Sequence, residues 1–136
     1  MPINTIRVAC AIIEHDGKIL SVQRSERMNL PLKWEFPGGK IKNGESPEQC
    51  VVREVSEELN VVVAVAQSLP SVNHDYRDFS VTLYPFICVV VSGEITLHEH
   101  KALHWLPPHE LRSLDWVAAD FPILTAYCEK VKRDVS

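Results

Sequence analysis

The chain has 136 residues, 46% of them apolar and 24% charged, which suits one domain with a sizeable core and excludes a disordered segment. Its net charge of −4 excludes a general attraction for nucleic acid polymers or anionic membranes. No run approaches the roughly 18 apolar residues of a membrane span, the N-terminus lacks a basic stretch followed by a long apolar run, and Cys10, Cys50, Cys88 and Cys128 form no CxxC pair. The expectation is a single cytoplasmic domain over residues 1–136 with reduced thiols.

Residues 3–14 are rich in Val, Ile and Ala, and 15–18 offer an Asp16-Gly17 turn before a second apolar run at 19–23. The two runs predict a hairpin or neighbouring strands. Residues 24–33 are polar and contain Pro31, which predicts a flexible loop. Arg24 ends the second strand close to a Gly-rich loop, where it suits either a phosphate contact or the solvent. WEFPGGK at 34–40 is not expected to be regular across Pro37-Gly38-Gly39. The two glycines would let the backbone approach a ligand closely. Trp34 and Phe36 read as core anchors rather than platforms for a base.

Residues 47–59 predict a helix. Ser46 is a favoured N-cap, Pro47 suits the first turn, Gln49 completes a capping box, and Asn60 tolerates the left-handed conformation that ends helices. Val51, Val52, Val55 and Leu59 share one side of this helix. Glu54, Glu57 and Glu58 share another. Such a patch is either a solvated acidic face, with Arg53 reaching Glu57, or a site for a hard cation. Mg²⁺ and Mn²⁺ prefer carboxylate oxygens and complete their shells with water and phosphates.

Residues 61–69 form a nearly continuous aliphatic run that predicts a buried strand, closed by Pro70. Residues 71–76 and 79–91 flank Arg77-Asp78 and predict a second hairpin, with His74 and Asp75 on a polar strand face. Alternate residues of 81–91 are apolar in both sets, so this strand should be covered on both faces, with a turn at 92–94. His98 and His100 lie two apart, on one face if 97–101 is a strand, but no third ligand at zinc spacing supports a site. A short strand at 102–106, a helical turn at 109–111, an irregular stretch at 114–120 and a helix at 122–131 complete the chain, with Asp120 suited to cap the last helix.

Gly39, Glu45, Arg53-Glu54, Val55, Glu57-Glu58 and Val61 fall at the positions of the Nudix box, G-x5-E-x7-R-E-U-x-E-E-x-G-U with U aliphatic. Asn60 replaces its last Gly. The chain thus resembles the Nudix hydrolases, and WEFPGGK and the length are similar to the MutT branch. The resemblance implies an α/β/α sandwich around a mixed β-sheet with a loop-helix-loop motif. It also implies Mg²⁺-dependent conversion of a nucleoside triphosphate to a monophosphate and pyrophosphate. By this likeness Glu57 and Glu58 are metal ligands, Glu54 is the base or a shared ligand, and Arg53 with Glu45 orients the helix. A carbonyl of Gly38 and Glu99, six residues before Trp105, would join the metal shell, and Arg24 would contact the nucleotide.

Ala119-Asp120 before Pro122 is similar to the segment where MutT-like enzymes set an Asn against the base. Asp at that place resembles the CTP-hydrolysing members. An ionised Asp accepts only, which suits the cytosine amino group or the N1 and N2 donors of a guanine. Cytosine nucleotides, modified ones included, are expected ahead of 8-oxo-dGTP, with a monomer or homodimer as the working form. A nucleotide sensor would be expected to lose part of REVSEE. A hydrolase of another nucleoside diphosphate derivative usually carries extra segments.

Overall fold

A computed structural model describes residues 4–135. Its first strand, β1 (Thr5–His15), turns at Asp16-Gly17, both at positive φ, into β2 (Lys18–Gln23). The expected strand start at Ile3 lies outside the described residues. Cβ atoms alternate across a strand, so β1 feeds two cores. Cys10 and Ile12 join one, while Ala9, Ala11 and Ile13 join the other.

The Pro-Gly-Gly stretch is more regular than expected. β3 (Trp34–Glu35) pairs with β2, and β4 (Gly38–Lys40) pairs with β1 through Ala9↔Gly39 and Cys10↔Gly38. Pro37, which has no N–H, sits at the break and accepts from the Ala11 amide with its carbonyl.

α1 (Pro47–Leu59) follows with the predicted caps in place. Ser46 Oγ accepts from Gln49 N–H at 3.1 Å, and Gln49 Oε1 accepts from Ser46 N–H at 2.9 Å. Asn60 ends the helix at φ 61°, ψ 31°. The buried face is Cys50, Val51, Val55 and Leu59, with Val52 only half-buried at its edge. At roughly 1.5–3 kcal/mol per large aliphatic side chain, this stripe anchors α1 firmly to the sheet.

β5 (Val61–Ser68) corrects the expectation of a fully buried strand. Val61 and Val63 are buried, but Val62 and Ala64 face solvent. The strand lies at the end of the order β3-β2-β1-β7-β5, where α1 covers one face only. β6 (Val72–Asp75) and β7 (Ser80–Gly93) form the predicted hairpin, with Asp75 opposite Ser80. β7 runs through the expected turn at 92–94, because pairing with β5 extends to Val61↔Gly93. Its Pro85–Cys88 centre is buried throughout, and Val89 and Val91 beyond it are exposed.

β1 and β7 pair in parallel from Thr5↔Ser80 to Ile13↔Cys88, whereas the other pairings are antiparallel, so the sheet is mixed. β8 (Ala102–Leu106) adds to β2. Pro108–Ser113 and Ala118–Asp120 are 3₁₀ turns, so the stretch expected to be irregular is partly ordered. α2 (Phe121–Val135) starts one residue earlier and ends later than predicted, and packs Ile123, Leu124 and Tyr127 on the face opposite α1. Helices on both faces of one mixed sheet make an α/β/α sandwich.

Candidate active site

α1, β3, β4, the end of β2 and the turn before α2 bring their side chains together. Arg53 and Glu57 lie on the outer surface of α1, while Glu54 and Glu58 flank the buried stripe and face Gly39 and Gly38 of β4. Arg53 takes Glu45 as a fork, with Nε to Oε2 at 2.6 Å and Nη2 to Oε1 at 2.9 Å. Its Nη1 donates to Glu54 Oε1 and Glu57 Oε1, both at 3.0 Å, and Nη2 donates to the Lys40 carbonyl. One guanidinium therefore ties the preceding loop to the helix and restrains two of the three helical glutamates. Hydrogen bonds from Arg53, with the Lys42 amide, hold the Glu45 carboxyl down to about 2.

Glu58 points the other way. Its Oε1 accepts from Gly38 N–H at 3.0 Å, so here Gly38 meets the site through its amide. Burial pushes the Glu58 carboxyl up to about 8, with the charges of Glu35, Glu54 and Glu99 adding to the rise and the Gly38 amide opposing it. Glu99, exposed in the loop before β8, is thus within electrostatic range of Glu58.

The glycines act on packing rather than leaving room for a ligand. A Cβ on Gly39 would lie 2.3 Å from Glu54 Cδ, and one on Gly38 would lie 2.1 Å from the Ala9 carbonyl oxygen.

Beside the carboxylates opens a cleft of about 540 Å³, lined among others by Arg24, Glu35, Phe36, Gly38, Tyr76 and Asp120. Arg24 Nη1 donates to Glu35 Oε1 at 2.8 Å and its Nε to the Asn29 carbonyl at 2.6 Å. Asp120 is buried at the end of its 3₁₀ turn, and its Oδ2 accepts from Phe36 N–H at 2.9 Å. That bond spans the fold instead of capping α2. Trp34 and Phe36 are core residues, stacked on His104 and tilted on Trp116 respectively. His98 is exposed in a loop, and His100 is buried against Glu35, so the two do not share a strand face.

Glu35 is a further polar residue of the cleft, outside the Nudix box. It joins Arg24 and His100, and its charge raises both Glu58 and Asp120. The available signal was a carboxylate set between two aromatic residues in WEF, where burial of the neighbours forces it inward or onto a partner.

A glutamate-bearing helix, clamped by an arginine and joined through a glycine amide to a cleft, suits a hydrolase of phosphorus-containing anhydrides, the class that the family match establishes. Residues 4–127 match the NUDIX domain, and the chain belongs to that family. It is 37% identical over 122 residues to the CTP pyrophosphohydrolase of Escherichia coli K12, covering 90% of each chain. It is 30% identical over 129 residues to the 8-oxo-dGTP diphosphatase of the same strain, covering 94% of this chain and 97% of that one. The crystal structure of the MutT protein from Methanosarcina mazei Go1 superposes with a TM-score of 0.84 at 25% identity, covering 100% and 99% of the two chains. No helix among the described residues is long and apolar enough to cross a membrane.

Proposed function

We propose that this protein works as one Nudix domain that hydrolyses a nucleoside triphosphate, with Mg²⁺ (or Mn²⁺), to a monophosphate and pyrophosphate, preferring cytosine nucleotides and modified forms of them. The reading rests above all on one observation: the Gly38 amide holds Glu58 at 3.0 Å, which sets a carboxylate of α1 beside the cleft that Gly38 lines.

The donor set fits a hard divalent cation, because it is oxygen throughout, three carboxylates and one backbone carbonyl. Among the described residues no three His, Cys, Asp or Glu side chains are gathered as a ligand cluster, and Glu54 and Glu57 are turned to Arg53 instead. In our reading Glu57, Glu58, Glu99 and the Gly38 carbonyl would hold the cation, with Glu54 shared or free. A bound cation would neutralise the phosphate chain and lower the pKa of the attacking water. Glu54 would then take the water's proton as general base. Arg53, held by Glu45, keeps Glu54 and Glu57 in register without touching the substrate, and the Gly38 amide holds Glu58. Arg24 contributes positive charge at the cleft.

Asp120 Oδ2 is occupied by the Phe36 amide. That leaves Oδ1 to accept from a base, which matches the amino group of cytosine. An 8-oxo-guanine, whose N1 and N2 also donate, is the second candidate. A cytoplasmic role in clearing such nucleotides follows from this substrate class.

The decisive assay incubates the protein with Mg²⁺ and CTP, dCTP, 5-methyl-dCTP, 8-oxo-dGTP or ADP-ribose and separates the products. Monophosphate plus pyrophosphate from a triphosphate, abolished in Glu57→Gln, is the expected result. No turnover of any triphosphate by folded, metal-supplied protein would defeat the reading and favour another diphosphate substrate or a sensor.

Asp120 also sets a pH dependence. Burial pushes its carboxyl up to about 7, with Glu35 adding to the rise while the Phe36 amide and Arg24 oppose it. Because the folded value lies above the unfolded one, this group's contribution is fully present below about pH 4 and is lost as pH rises through about 7. Asp120→Asn stays neutral. Its stability relative to the wild type should therefore rise by about 2–3 kcal/mol between about pH 5 and about pH 8, measured by urea denaturation at each pH. A constant difference would show that Asp120 titrates normally.

A further inference from the structure

His100 is a buried titratable side chain with no part in the scheme above. It lies in the loop between β7 and β8 with its side chain only 2% exposed. Nε2 is 2.8 Å from Glu35 Oε2, and Nδ1 is buried without a hydrogen-bond partner. Beside a carboxylate this arrangement fits the Nε2–H tautomer, with the N–H donated to Glu35 and the Nδ1 lone pair unmet. A buried acceptor without a partner is costly, and a leucine of similar size would fill the space without one. Packing alone therefore does not account for an imidazole here. The bond to Glu35 does.

Glu35 holds the polar wall of the cleft. One of its oxygens takes His100, and the other takes Arg24 Nη1 at 2.8 Å. The next residue, Phe36, gives its amide to Asp120. Displacing Glu35 would release Arg24 and move the peptide that fixes Asp120. His100 is also the chain neighbour of Glu99.

We propose that His100 is a positioning residue for base selection: its Nε2–H anchors Glu35, and through it Arg24 and the Phe36–Asp120 pair, in the arrangement that meets the nucleoside. This rests on the reading of the cleft given above. The partner is the base and sugar of a nucleotide, and His100 itself does not touch it. Pre-set polar groups discriminate more strongly than mobile ones, since a wrong base then leaves buried donors or acceptors unpaired.

The test compares wild type, His100→Leu and His100→Gln for kcat and KM with Mg²⁺ and CTP, dCTP, GTP and 8-oxo-dGTP, with melting temperatures alongside. The glutamine amide can reproduce the Nε2–H donor, and leucine cannot. In His100→Leu the KM for the best nucleotide should rise about tenfold with kcat within about threefold, and discrimination among bases should shrink about tenfold. His100→Gln should recover most of both. Unchanged KM and discrimination in folded His100→Leu would overturn the proposal, as would an equal loss in both variants. If His100→Leu does not fold, His100→Asn replaces it, because its shorter amide cannot reach Glu35. Selectivity kept by Gln alone supports the role, and equal behaviour of Gln and Asn overturns it. If the wild type turns over none of the four, the triphosphate reading fails. Titration of α,β-methylene CTP and GTP into the same proteins then tests His100 separately, with the same pattern expected in Kd.

Discussion

Glu54→Gln is expected to lower kcat by about 10²–10⁴-fold, the usual contribution of a positioned general base, while leaving the melting temperature nearly unchanged. The substitution keeps the shape of a side chain that lies against Gly39, where even a methyl group would come within 2.3 Å of Cδ. An amide oxygen can still accept from Arg53 Nη1, which meets Oε1 at 3.0 Å in the wild type. What the amide cannot do is take a proton from water. Steady-state rates with Mg²⁺ and CTP, beside thermal melts, decide the matter. A kcat within threefold of wild type would remove Glu54 from the role of base.

Gly38→Ala is expected to destabilise the fold by about 3 kcal/mol or more, lowering the melting temperature by roughly 10 °C. The added Cβ would stand 2.1 Å from the Ala9 carbonyl oxygen and 2.7 Å from Cys10 Cα. Both are backbone atoms of β1, the strand that serves both cores, so neither can swing aside. Relief requires β4 to leave β1, which moves the Gly38 amide from Glu58 and exposes part of the site. Gly39→Ala is the control. Its Cβ meets the carboxylate end of Glu54, a movable group, so activity should fall much further than stability. Equal melting temperatures for Gly38→Ala and wild type would show that β4 can shift without cost.

These expectations draw on two kinds of information. Interactions between near neighbours in the chain were legible in the sequence. The capping box and the left-handed Asn60 lie within one helix and its borders, where spacing alone fixes which groups meet. Glu58, grouped by spacing with Glu54 and Glu57, instead turns from their Arg53 clamp to the Gly38 amide. Glu45 and Arg53 are eight residues apart, and their pairing came from the family pattern that the NUDIX match now supports. The β1–β2 and β6–β7 hairpins were legible for the same reason, because a short turn leaves a strand one adjacent partner.

Contacts between distant segments were decided by the tertiary structure. β5 is as aliphatic as a central strand, yet its place at the sheet edge exposes every second residue at its start, and composition carries no record of sheet order. The Glu35–His100 contact joins residues 65 apart, and Phe36–Asp120 joins residues 84 apart. Neither pair has a spacing signature. The sequence by itself determined the helix and its carboxylates, and the spacing of the Nudix box determined the family and with it the hydrolase class. Which side chains wall the cleft, and that a half-buried glutamate there meets a buried histidine behind it, depended on a mixed sheet bringing β3, the loop before β8 and the turn before α2 together. Such convergence is set by packing across the whole core, which no local pattern encodes.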